Sequence, residues 1–114
     1  MAKYKDPQQL FDTRRSAWKT AVIASAGKTS GEVDLGDSYG YLMVNIPTIT
    51  SATLSITVAM ESGGTFVDLD SASYVAGTGA LGTTFLLGGW QFIKIVSSAT
   101  QGAERTFYVR GVEL

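Results

Sequence analysis

The chain has 114 residues, 45% hydrophobic and 17% charged, with 13 Gly, 2 Pro and neither Cys nor His. That composition fits one globular domain burying roughly two-thirds of its unfolded surface. It excludes a disulfide framework, a thiolate metal site and any Ser-His or Cys-His nucleophile pair.

The net charge of −1 conceals an asymmetry: through Lys19, five cations stand against two acids, giving +3, while the remainder has four cations and eight acids, giving −4. An acidic body argues against a nucleic-acid partner, whereas a +3 arm suits an acidic protein surface. The first residues lack the apolar core of a secretory signal. No apolar run approaches the roughly 18 residues of a membrane span. We therefore expect a soluble chain made in a cytoplasm, with no membrane partner.

In chain order, residues 1–20 read as a basic, polar N-terminal arm, extended or carrying a short helix over Pro7–Thr13, where Asp6 caps and Pro7 takes the first helical position. Tyr4, Leu10, Phe11 and Trp18 interleave with Arg14 and Arg15. Aromatic anchors beside arginine dominate protein interfaces, so these six are the expected partner-binding residues.

Residues 21–114 read as a β domain. Ala21–Ala24 and Glu32–Leu35 are short strand candidates on either side of a hairpin turn around Gly27. Tyr41–Ile46 is a strand that Pro47, lacking an N–H, is expected to close. Ala52–Glu61 alternates with period 2, placing Leu54, Ile56, Val58 and Met60 on one face. Ser62-Gly63-Gly64 then turns it into Thr65–Asp70 as a hairpin. Thr83–Leu87, Trp90–Val96 and Arg105–Val112 complete seven to nine short strands. The expected fold class is all-β, an antiparallel β-sandwich, with the jelly roll one arrangement the strand count allows.

Few residues suggest chemistry. Gly77–Gly82 matches G-x-G-x-x-G, but the dinucleotide site needs a helix after the motif and Thr83 opens a strand-like run, so a flexible turn is expected and no cofactor. Gly27-Lys28-Thr29 ends like a phosphate-binding loop, yet Val22 stands where its first glycine belongs. Asp68 and Asp70 alternate with Val67 and Leu69, which puts both on a wet strand face rather than in a catalytic pair. Trp90 and Phe92 share a strand face while Ile93 and Ile95 occupy the other. They are read as core or an oligomer-facing surface, with a ligand platform as the alternative. No catalytic or metal-ligating residue is expected, and the chain is read as not an enzyme.

Ser30–Gly36, Ala52–Val58, Gly64–Leu69, Gly89–Ser97 and Gln101–Phe107, in this order and spacing between Val22 and Val112, resemble small β-sandwich accessory virion proteins of tailed bacteriophages. The resemblance implies a structural module of the capsid decoration or cement type, sometimes of a fibre or tail, and carries no catalytic residues. The arm lies outside it. The expected partner is a major capsid protein or another virion protein, in a virion assembled in the bacterial cytoplasm. A homo-oligomer, with a trimer favoured, would sit on shell symmetry axes. The competing reading is a carbohydrate-binding or host-attachment module using Trp90, Phe92, Tyr39 and Tyr41, and a third is a tail or connector component.

Overall fold

A computed structural model of the chain describes residues 14–113, and Tyr4, Leu10, Phe11 and the segment Pro7–Thr13 lie outside them. Among the described residues seven strands follow in order: β1 (Arg14–Arg15), β2 (Lys19–Ile23), β3 (Val33–Asp34), β4 (Tyr41–Ala59), β5 (Val67–Leu86), β6 (Phe92–Ser97) and β7 (Arg105–Glu113). Every pairing is antiparallel, and all seven strands belong to one sheet. The expected all-β antiparallel class is the class observed.

Two strands are much longer than their sequence signals. β4 has 19 residues and β5 has 20, and they form one hairpin. The first half of β4 pairs on its other side with β7, from Tyr41↔Val112 to Asn45↔Tyr108. The second half pairs with β6, from Leu54↔Ser97 to Ala59↔Phe92. The long hairpin thus runs through two half-sheets, β5-β4-β7-β1/β2 and β5-β4-β6-β3, which curl over one core. Leu42, Val44, Phe107, Ala21 and Ile23 of the first half join Leu54, Ile56, Ile93, Ile95 and Val33 of the second in a single buried cluster.

Pro47 does not close its strand. It sits inside β4, in the interval 46–53 that neither β7 nor β6 covers, where β4 pairs with β5 alone. Register shifts against β5 flank Ala52, and they turn the hairpin through the corner. Opposite this corner lies the glycine motif: Gly77, Gly79 and Ala80 all have positive φ within β5. The expected flexible turn is instead a strand irregularity. Gly79 is required there, because a Cβ would run into the Pro47 carbonyl oxygen at a φ of +78°.

Three smaller expectations are also corrected. Met60 follows the end of β4 in a turn and is 89% exposed, while Leu54, Ile56 and Val58 are buried as the alternation predicts. The turn at Gly27, closed by its N–H donating to the Ala24 carbonyl at 2.9 Å, joins no hairpin. β2 pairs with β7 and β3 with β6, so this turn carries the chain from one half-sheet to the other. The boundary expected at residue 20 falls within β2, and Arg14 onward is already in the sheet.

Buried Gln101 locks the corner. Its Oε1 accepts the Thr50 N–H at 2.8 Å and the Arg105 Nε–H at 3.2 Å, and its Nε2 donates to Ser97 Oγ at 2.9 Å and to the Thr50 and Ala99 carbonyls at 3.2 Å. Its backbone N–H donates to Gly27 and its carbonyl accepts from Ala26, which ties the crossing turn to the same point.

Candidate docking face

β1 and β2 are one strand interrupted by a bulge. From Arg15↔Val112 to Lys19↔Val109 the first strand advances four residues and β7 three. Ser16 fills the gap: its N–H donates to the Gly111 carbonyl at 2.9 Å and its Oγ accepts the Gly111 N–H at 2.9 Å. Beyond the bulge, Ala21 and Ile23 point into the core, so Trp18, Thr20 and Val22 point outward.

The same alternation sets the rest of the outer face. Leu42, Val44, Phe107 and Val109 are buried, leaving Met43, Asn45, Tyr108 and Arg110 outside. Register then places Arg110 beside Met43 beside Thr84, and Thr20 beside Tyr108 beside Asn45 beside Gly82. The Arg110 guanidinium lies 4.6 Å from the centroid of the Trp18 ring, and its Nε donates to the Ser16 carbonyl at 3.1 Å. A bond on one side and a cation–π contact on the other fix both side chains while Trp18 stays 45% and Tyr108 49% exposed.

Gly82 contributes no side chain to this surface, and an open groove of about 620 Å³ runs from Trp18 past Met43 and Asn45 to Gly82 and Thr84. A second hollow of about 470 Å³ lies among Trp18, Asn45 and Tyr108. Strands β1, β2 and β7 and the first half of β4 carry Arg14, Arg15, Lys19, Arg105 and Arg110 against one acid, Glu113. Of these, alternation leaves Arg15 and Arg110 on the outer face, while Lys19, Arg105 and the Arg14–Glu113 pair lie on the inner side, so the face is aromatic with two cations and is held by backbone pairing. Aromatic rings beside guanidinium groups are the chemistry common at protein interfaces.

Of the expected arm residues, Trp18 joins this face and Arg15 is exposed beside it. Arg14 faces the other way. It pairs with Asp37 at 2.9 Å and Glu113 at 3.1 Å, donates to the Ser38 carbonyl and lies 4.7 Å over the Tyr39 ring. Tyr39 in turn is buried against Gly111, where an added Cβ would strike its ring.

Trp90, Phe92, Tyr39 and Tyr41 belong to different elements, with Gly89, next to Trp90, bonded to the Tyr39 carbonyl at 2.8 Å. Trp90 sits ahead of β6 against the core, Phe92 pairs with Ala59 in the second half-sheet, and Tyr41 lies between Leu86 and Val112 in the first. Asp68 and Asp70 are exposed on β5. Among the described residues, no three acids gather as a metal site would need. Sequence alternation alone did not single out Met43, Asn45, Tyr108 or Arg110, since only the β4–β7 register puts them beside Trp18.

At the opposite end, Glu32 holds the β4–β5 turn. Its carboxylate accepts the Gly63 N–H at 2.7 Å and the Ser62 hydroxyl at 2.6 Å. These two bonds, the Gly63 N–H foremost, hold its pKa below the usual carboxylate value. Asp34 is likewise lowered, first by the Gln91 amide and then by the Gly36 N–H.

No protein-family model and no curated protein matches the chain. Among solved structures, it is similar to the SPBc2 prophage-derived protein YomS, with 15% identity and a TM-score of 0.55 over 90% of this chain and 97% of that one. It is also similar, at 15% identity and a TM-score of 0.44, to a chain of the cyanophage Pam1 capsid asymmetric unit, over 97% and 91% of the two chains. The likeness to YomS is one of fold: the chain shares its antiparallel all-β architecture with a prophage-derived protein.

Proposed function

We propose that the chain is a non-catalytic structural protein of a tailed-bacteriophage virion, of the decoration or cement type, that binds the outer shell through its first half-sheet. The observation that carries the reading is the face of Trp18, Tyr108 and Met43, with its two cations, Arg15 and Arg110. Its fold, shared with a prophage-derived protein, and the motif resemblance between Val22 and Val112 support the same setting. The partner is then a major capsid protein or another virion protein offering an acidic patch. Repeated weak contacts over a lattice raise the effective concentration of each.

Cosedimentation with shells assembled without this chain tests the proposal. The full chain pellets with shells. Trp18→Ala with Tyr108→Ala weakens binding about a hundredfold, as loss of two aromatic anchors does. Shells that leave the full chain in the supernatant sink the idea. A second reading is favoured by the hollow among Trp18, Tyr108 and Asn45, which offers ring faces and an amide of the kind that hold sugars. Binding on a glycan array that Trp18→Ala abolishes would establish that reading in place of the first.

A further inference from the structure

Among the described residues, β5 pairs with β4 alone, so one side of a 20-residue strand has no neighbour. Open edges of this length are normally blunted by lysine, proline or inward charges. β5 carries none of these devices over residues 71–86, which include no charged residue and no proline. Its two acids, Asp68 and Asp70, sit near its start. The positive-φ stretch at Gly77, Gly79 and Ala80 separates that start from a regular terminal run, Leu81–Leu86, which keeps a constant register against β4. Phe85 and Leu87 are buried, so Gly82, Thr84 and Leu86 point outward, and Leu86 is 68% exposed.

We propose that Gly82–Leu86 pairs antiparallel with the same segment of a second copy about a two-fold axis at Thr84. In that register Thr84 lies opposite the partner's Thr84, and Leu86 lies opposite the partner's Gly82. Each exposed Leu86 then enters the side-chain gap at Gly82 that opens the groove beside Met43 and Asn45. The two-fold contact is self-complementary by construction. It brings no like charges together, because Asp68 and Asp70 fall beyond the paired run, whereas the body as a whole carries net negative charge. A second copy therefore suits this edge better than a charged partner does. The contact is small, at the weak end of specific interfaces, and does not rest on the virion reading. It is separate from any three-fold arrangement on a shell.

Two measurements on the full chain test it. Sedimentation equilibrium shows a concentration-dependent dimer, weakened about tenfold or more by Leu86→Lys, which removes two apolar seats per dimer. Gly82→Leu fills the gap and weakens it similarly; a Cβ at Gly82 meets only the Val44 carbonyl at 3.8 Å, so the monomer fold is kept.

The chain has no cysteine, so single cysteines report without background. Directly opposed residues of an antiparallel pair are about 4.5–5.5 Å apart at Cα, within disulfide reach. Mild oxidation therefore cross-links the Thr84→Cys chain into a dimer and leaves the Ser73→Cys chain monomeric. A chain monomeric at every concentration overturns the proposal, and so does equal cross-linking at both positions. Either result would leave the edge to residues 1–13 or to another protein.

Discussion

Gln101 is fully buried and bonded on both its amide atoms, at the one place where β4 lacks a ladder on one side. Gln101→Leu would keep the volume, strand the Thr50 N–H and take one donor from Ser97 Oγ, which keeps its bonds to Ala99. Each buried group left unmade costs roughly 1–3 kcal/mol, so we expect about 3 kcal/mol lost in urea unfolding. Gly79→Ala should cost about 2–4 kcal/mol by the same measurement, from the Cβ clash with Pro47 and the left-handed backbone together. Neither role was legible beforehand. A glutamine in a polar loop and a glycine in a G-x-G-x-x-G run look alike whether they hold a corner or decorate a turn. What distinguishes them is a long-range contact, with Thr50 for Gln101, 51 residues away, and with Pro47 for Gly79.

At the scale of elements, the short strands were legible because one face of each is buried. Period-2 alternation gives β2, the second half of β4, β6 and β7 nearly to their ends, and Leu54, Ile56, Val58, Ile93 and Ile95 are all core. The sequence signals of β4 and β5 are broken into shorter pieces. Pro47 and the glycines of 77–82 mimic strand ends, and only the absence of a neighbour on one side makes them tolerable inside strands.

The β4–β5 turn yields a pH prediction. Glu32 has a folded pKa below its ordinary value of 4.5, so its hold on the turn is complete above about pH 4.5 and fades as pH falls through the lower folded value. Protection of the Gly63 amide from hydrogen exchange, taken against the intrinsic exchange rate at each pH, should fall over that acid range in the native chain. With Glu32→Ala it should be lost already at neutral pH. Slow exchange in that variant would contradict the assignment.

Across the whole molecule, the sequence located the charge asymmetry and half of the face. Trp18 and the basic first strand were visible. Tyr108, Arg110, Met43 and Asn45 were not, since they lie in strands read as ordinary alternating segments and meet Trp18 only through the β2–β7–β4 register. Arg14 changes role for the same reason: its β1 pairing turns it onto Asp37, Glu113 and Tyr39. The two cations of the face imply that shell binding weakens with salt, as screening shortens the reach of exposed charge to about 8 Å at physiological ionic strength. Binding at 0.5 M salt should fall well below that at 0.05 M. A salt-independent isotherm would assign the contact to the apolar groove alone.

The most direct test of the central claim is hydrogen–deuterium exchange of the chain free and bound to shells assembled without it. Docking through the first half-sheet predicts new protection at residues 15–20, 43–46 and 106–110, with residues 55–58 and 92–97 unchanged. Protection confined to the second half-sheet would contradict it.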